Sequence, residues 1–260
     1  MSGRVYVYGV VHAGRELPPR TGGVGRPPLP VRLLPVGELA AVVSDVPRDL
    51  RARRRDLTAH QDLLLALGSR GPVLPMRFGM VAEDEAAVRH AVGAAATAHR
   101  AALDRLGRRV EMNVKAAPVE SGVAALMRED ADVRHLFAAV RRRPSYDGNI
   151  RLGRAVAEGL DRRAAEAARE ALPALAAEAV ESTRGPEVPG CVLNVSFLVR
   201  EGRLERFRAT ADRLAAAHRD RVELRLTGPL PCYSFTGDAA REAGAAEPGR
   251  TAVASGTPGA

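Results

Sequence analysis

Three features of this 260-residue sequence predict an α+β fold, an antiparallel sheet with helices on one face. Residues 109–116 alternate, with Val110, Met112, Val114 and Ala116 on one side and Arg109, Glu111, Asn113 and Lys115 on the other, as in a strand covered on one face only. A strand over 191–199, a helical repeat of Leu204, Phe207, Ala211, Leu214 and His218, and a second alternating run of Val222, Leu224 and Leu226 make a β-α-β unit. Long Ala-, Arg- and Glu-rich stretches at helical spacing separate these strands.

The elements follow in order. Val5 to Val11 is a β-branched and aromatic run and predicts the first strand. The Gly/Pro-rich stretch from Gly14 to Pro35 predicts a long, partly disordered loop, because its prolines forbid a helix. Leu39 to Val46 predicts a second strand. An arginine cluster (Arg48, Arg51, Arg53, Arg54, Arg55) then precedes a helix capped by Asp56 or Thr58, with Leu57, His60, Leu64 and Leu67 on its apolar face and Gly68 as its stop. Residues 72–81 are apolar but carry two prolines, which fits an edge strand and not a central one.

Val88, Val92, Ala95, Ala96, His99, Leu103 and Leu106 predict one amphipathic helix ending at Gly107, with Glu83, Asp84 and Glu85 placed where the helix dipole favours anions. Shorter helices carry Val123, Leu126 and Met127, then Val133, Leu136, Phe137 and Val140. Residues 152–180 predict a long helix that Pro173 kinks or divides. With the C-terminal β-α-β unit, the economical topology is ferredoxin-like. Beyond Phe235 periodic apolar residues stop, and 237–260 is expected to be disordered.

Composition removes several function classes. Only 3% of residues are aromatic and none is Trp, so stacking grooves for single-stranded nucleic acid or carbohydrate are disfavoured. Lys115 is the only lysine and lies outside any phosphate-loop context, which excludes a Walker-type site. Cys191 and Cys232 lack metal-ligand spacing and form no disulfide framework, and the His residues are scattered, so no metal and no cofactor are expected. No apolar run is long enough to span a membrane, and a cytoplasmic location is expected.

The glycines at 22, 23 and 25 run into Pro27 and Pro28 and cannot open the helix of a dinucleotide site. His60, His99 and His218 fall on apolar helix faces, where a buried, hydrogen-bonded imidazole is the usual outcome. The net charge of +8 and the 48–55 arginine cluster offer contacts for an acidic protein or a phosphate backbone. The polar face expected to carry Arg109, Glu111, Asn113, Lys115, Arg221, Glu223 and Arg225 lacks the aromatics of an RNA-recognition sheet.

Six blocks then occur in a telling order: Val5-Tyr-Val-Tyr-Gly-Val10, Leu39-Ala-Ala-Val-Val-Ser44, Val73-Leu-Pro-Met-Arg-Phe-Gly79, Val110-Glu-Met-Asn-Val-Lys115, Leu193-Asn-Val-Ser-Phe-Leu-Val199 and Thr227-Gly-Pro-Leu-Pro-Cys-Tyr-Ser-Phe235. In these blocks the sequence resembles the gas vesicle protein GvpL/GvpF family from about Val5 to Phe235. It departs from the family pattern at Leu230 and Cys232, where Trp and Pro are frequent. The resemblance implies two α+β domains, set here at 1–107 and 108–236, the second a modified ferredoxin fold. It also implies a non-enzymatic cytoplasmic accessory protein of gas vesicle assembly that binds the major shell protein and other accessory proteins. The alternative from another class is a basic nucleic-acid-binding regulator. A sheet edge at 73–81 suits the handling of an aggregation-prone strand, so Met76, Arg77 and Phe78 are the candidate protein-binding residues, followed by Arg51, Arg53, Arg54 and Arg55.

Overall fold

In the computed structural model, which describes residues 3–19 and 21–237, the Val/Tyr-rich strand β1 (Val5–His12) is central and buried on both faces. A register shift between Val7 and Gly9 breaks its alternation. Val10 therefore joins Val5 and Val7 on one face, while Val11 joins Tyr6 and Tyr8 on the other. Glycine is required at the shift, since a Cβ on Gly9 would lie 2.7 Å from the Leu74 carbonyl oxygen.

Beside β1 runs β3 (Leu39–Asp45), followed at the edge by β2 (Arg32–Val36). The loop expected to continue to Pro35 thus ends in a strand; an edge position lets Pro35 forgo one ladder bond. The rest of the excursion is ordered where described, with Gly22 bridged to Pro30 and Val24 N–H donating to the Tyr8 hydroxyl at 2.8 Å. The 72–81 segment becomes two two-residue strands, β4 (Leu74–Pro75) and β5 (Val81–Ala82), both paired with β1.

Helix α1 (Arg54–Gly68) covers the tyrosine face of this sheet. Its N-cap is Arg53, without a side-chain cap, so neither Asp56 nor Thr58 serves as predicted. Asp56 is instead buried in the first turn, where its Oδ1 accepts from Gly25 N–H at 3.1 Å and ties the loop to the helix. Leu57 is exposed, and Leu63 takes its expected place in the core. The opposite sheet face is covered by α2 (Glu85–Ala94), capped by Asp84, and α3 (Ala96–Leu106). The single helix expected here breaks at Ala95, whose ψ of 15° leaves the helical region while the apolar spacing runs on across it.

The C-terminal half is a second sheet of order β7-β8-β6-β9, built from β6 (Arg109–Pro118), β7 (Glu181–Arg184), β8 (Leu193–Arg200) and β9 (Val222–Leu230). β8 and β9 both lie antiparallel to β6, joined through α7 (Leu204–Ala217), which completes the ferredoxin-like order. Before β7 come α4 (Val123–Glu129), α5 (Ala131–Arg142) and the 31-residue α6 (Tyr146–Ala176). α6 starts six residues earlier than expected, capped by the Ser145 hydroxyl, and runs through Pro173, which sits in its last turn. β7 went unpredicted because Glu-Ser-Thr-Arg has no apolar alternation; it is the sheet's exposed edge.

One prediction fails in an informative way. The second face of this sheet is not open to water: Glu111 and Ser196 are buried, and Leu198 joins Cys232, Phe235 and the α3 residues Leu103 and Leu106 in one core. The N-terminal layers seal that face. Arg221 turns to α6, pairing with Glu170, whereas Glu223 and Arg225 do stay exposed and pair with each other at 2.8 Å. The expectation for 237–260 lies, apart from Gly237, outside the described residues.

Candidate functional site

The segment between β4 and β5 is held from beneath by a chain of hydrogen bonds that its own sequence does not announce. His60 Nε2 lies 3.0 Å from the Met76 carbonyl oxygen, which can only accept, so Nε2 carries the proton of the neutral ring. Nδ1 therefore accepts from the Tyr6 hydroxyl at 2.9 Å, and that hydroxyl accepts from Gly79 N–H at 3.1 Å. Met76 N–H closes the set on the Tyr8 carbonyl at 2.8 Å. Burial pushes the His60 pKa down, which keeps the ring neutral, and pushes the Tyr6 and Tyr8 hydroxyls up. The rings pack as a cluster, Tyr8 stacked on His60 at 5.5 Å and Phe78 edge-on to Tyr6 and His60 at 6.0 and 5.8 Å.

This geometry sorts the three candidate residues. Met76 is 2% exposed and belongs to the core, so it supports the loop and cannot itself meet a partner. Phe78 is half-buried on the ring cluster. Arg77 is exposed and, among the described residues, forms no ion pair, so it is the group the loop presents to solvent.

The second candidate group precedes and opens α1. Arg51 Nε donates to Asp49 at 2.9 Å, Arg53 pairs with the same carboxylate, and Arg55 lies 3.6 Å from Asp56; Arg54 is exposed without an ion pair among the described residues. Asp49 and Asp56 thus offset much of the charge. The two groups share α1, since Phe78 packs on His60, five residues and about 7–8 Å of helix rise beyond Arg55.

Two further features lie where the sheets meet. Glu111 Oε1 accepts from the Ser196 and Ser234 hydroxyls, both at 2.7 Å, and Oε2 accepts from Ser234 N–H at 2.8 Å. Burial, with Glu111 adding to it, pushes the Cys232 thiol and the Tyr233 hydroxyl each up to about 12, so the thiol is inert. Close by, a cavity of about 230 Å³ is walled by Leu64, Val73, Leu106, Val110, Leu204 and Leu230. Among the described residues no three His, Cys, Asp or Glu side chains gather as a metal site, and no helix is long and apolar enough to cross a membrane. The sequence placed Glu111 on the polar side of its strand; the residues that bury it arrive from 234, and no local signal joins the two.

Comparison with known proteins agrees with this architecture. The sequence model of a family described as "Gas vesicle synthesis protein GvpL/GvpF" matches residues 4–237. Gas vesicle protein F of Streptomyces sp. (strain CB03234) is 41% identical over 234 residues, covering 88% of this chain and 98% of that protein. Gas vesicle protein L of the same strain is 33% identical over 257 residues, covering 89% and 92%. The crystal structures of GvpF from Anabaena sp. PCC7120 and from Microcystis aeruginosa share the fold, with TM-scores of 0.72 and 0.70 at 20% and 18% identity, each over 90% of this chain and 98% of theirs.

Proposed function

The chain belongs to the GvpL/GvpF family of gas vesicle synthesis proteins, and on that premise we propose that it is a non-enzymatic, cytoplasmic accessory protein that binds the major shell protein and other accessory proteins during assembly. The observation that carries the reading is the Arg77 loop. A backbone pinned at Met76 and Gly79 holds the Arg77 guanidinium, without an ion pair among the described residues, at a short sheet edge interrupted by Pro72 and Pro75. Such an edge accepts a partner strand over a few residues and then stops, which suits transient holding of an aggregation-prone subunit. The same reading takes residues 1–107 and 108–236 as two units joined through the core that Leu103 and Leu106 share with Leu198, Cys232 and Phe235.

The test is pull-down of the shell protein by Arg77→Glu. Weakened binding with an unchanged melt supports the loop as the contact. Unchanged binding by a folded variant moves the contact to Arg51, Arg53, Arg54 and Arg55, to be reversed next. Binding that collapses in high salt and is competed by DNA points instead to a phosphate-backbone partner.

A further inference from the structure

The α5–α6 hairpin stands apart from the rest of the molecule in burial and in charge. Of the twelve residues of α5 only Val133 is buried, and from Tyr146 to Glu158 of α6 only Gly148 is. The two helices hold each other near the turn, where a Cβ on Gly148 would meet Val140 at 3.2 Å. Three of the five large apolar side chains exposed among the described residues lie on this arm: Phe137 (43%), Tyr146 (79%) and Ile150 (47%).

Residues 131–157 also contain six arginines against two aspartates, a net +4, half the formal charge of the whole chain. Among the described residues none of the six (Arg134, Arg141, Arg142, Arg143, Arg151, Arg154) is in an ion pair; Arg134 is spent on the carbonyls of Met127 and Arg128. The contrast at the base of the arm is direct. There Arg162 pairs with Asp130 at 2.8 Å and Arg163 with Glu129.

The helical repeat places Tyr146, Ile150, Gly153 and Ala157 in one stripe on the side of α6 away from Gly148, Leu152 and Gly159, which face inward. Arg154 lies next to that stripe. At its middle, Gly153 is exposed and a Cβ there would meet nothing within 4 Å, so the stripe leaves open space at that point. Apolar side chains at i and i+4, a gap that admits another backbone, and unpaired cations form a surface complementary to a helix with apolar and acidic faces.

We propose that the α5–α6 arm is a docking surface for an acidic amphipathic helix of a partner protein, with Tyr146 and Ile150 as apolar anchors, Gly153 as the seat and the unpaired arginines as the charge complement. This surface lies on a different helix pair from the Arg77 loop and stands whether or not that loop meets the shell protein.

The experiment titrates the full chain with a synthetic helix of about 20 residues, Leu on one face and Glu on the other, and follows backbone hydrogen exchange. Protection should appear in 131–157 and leave the Arg77 loop unchanged. Gly153→Leu, which fills the open space at the seat on a helix that gains propensity from the change, should weaken binding at least tenfold without lowering the melt. The combined variant Arg141→Gln/Arg142→Gln/Arg151→Gln/Arg154→Gln should weaken it similarly and flatten its salt dependence. Protection elsewhere in the wild-type protein overturns the proposal, as does undiminished binding by both variants. Equally tight binding of an oligothymidylate, or of phosphatidylglycerol vesicles, at the same residues also overturns it, because the surface then reads only negative charge.

Discussion

Truncation of Glu111 measures whether the seam between the two sheets is sealed. In the folded protein this carboxylate takes three hydrogen bonds, from the Ser196 and Ser234 hydroxyls at 2.7 Å and from Ser234 N–H at 2.8 Å, and the residue is 4% exposed. In Glu111→Ala the two hydroxyls, already 3.2 Å apart, can turn toward each other. The Ser234 backbone N–H is fixed and cannot. One orphaned buried donor costs about 1–3 kcal/mol, and the hole left by the lost side chain adds to it, for a total of about 3–5 kcal/mol. In a chain of this size that lowers the melt by about 6–20 °C. Glu111→Gln should cost far less, about 1–2 kcal/mol, because its amide can flip to accept from Ser234 N–H and donate to the hydroxyls. Scanning calorimetry of both variants gives the comparison, and a cycle with Ser234→Ala should show a coupling above about 0.5 kcal/mol. If Glu111→Ala melts within about 1 kcal/mol of the parent, the seam is wet and the open face expected from the alternation is the better description.

Three other outcomes are expected. Gly9→Ala places a Cβ 2.7 Å from the Leu74 carbonyl and 3.3 Å from Leu64 and Val73; it should cost about 1–3 kcal/mol, read as a lower urea midpoint, and an unchanged midpoint would disprove the close approach of β1 and β4. His60 is neutral in the fold with its pKa lowered, so below about pH 6.5 the unfolded chain takes a proton the folded one refuses; stability then falls with decreasing pH, by at most about 1.4 kcal/mol per pH unit, until the folded-state pKa is reached. Denaturation of wild type and His60→Gln between pH 7.5 and 5 tests this (a window spanning the ordinary His pKa of about 6.5), with parallel curves as the refuting result. Ser145→Ala removes the α6 cap, whose hydroxyl accepts from Gly148 N–H at 3.1 Å; about 1 kcal/mol should be lost locally, seen as faster exchange at the first turn of α6, and equal exchange would show that the hydroxyl does not hold the turn.

How much of the fold the sequence revealed depended on whether the deciding contact was local. β1, β3, β6, β8 and β9 are legible because β-branched runs or strict alternation report burial directly. β2 and β7 are edge strands, one carrying Pro35 and the other almost without apolar residues, and an edge needs neither two buried faces nor a full ladder. The break at Ala95 is silent for the opposite reason: the apolar spacing continues through it, and only the backbone turns. Glu111 combines both difficulties. Its alternation gives the side of the strand, but what lies on that side is Ser234, brought in from 123 residues away.

The candidate sites follow the same division. Arg77 is readable from its block because a polar residue between Met and Phe in a proline-bounded edge must point outward, whereas the burial of Met76 depends on His60 reaching across from α1. For arginines the sequence is less informative still. Arg141, Arg142 and Arg143 look no different in composition from Arg162 and Arg163, yet the latter pair with Asp130 and Glu129 while the former are without ion pairs among the described residues. Chain geometry assigns Glu129 and Asp130 to the base of α6, where Arg163 is buried and an uncompensated charge would cost most, while Asp132 and Asp147 on the arm form no ion pair among the described residues. The exposed tip is left with cations that water solvates adequately at little cost. With Glu129 and Asp130 held at the base, Arg141, Arg142 and Arg143 have no ion pair among the described residues, and a partner that brings its own acids meets groups with no such pairing to lose.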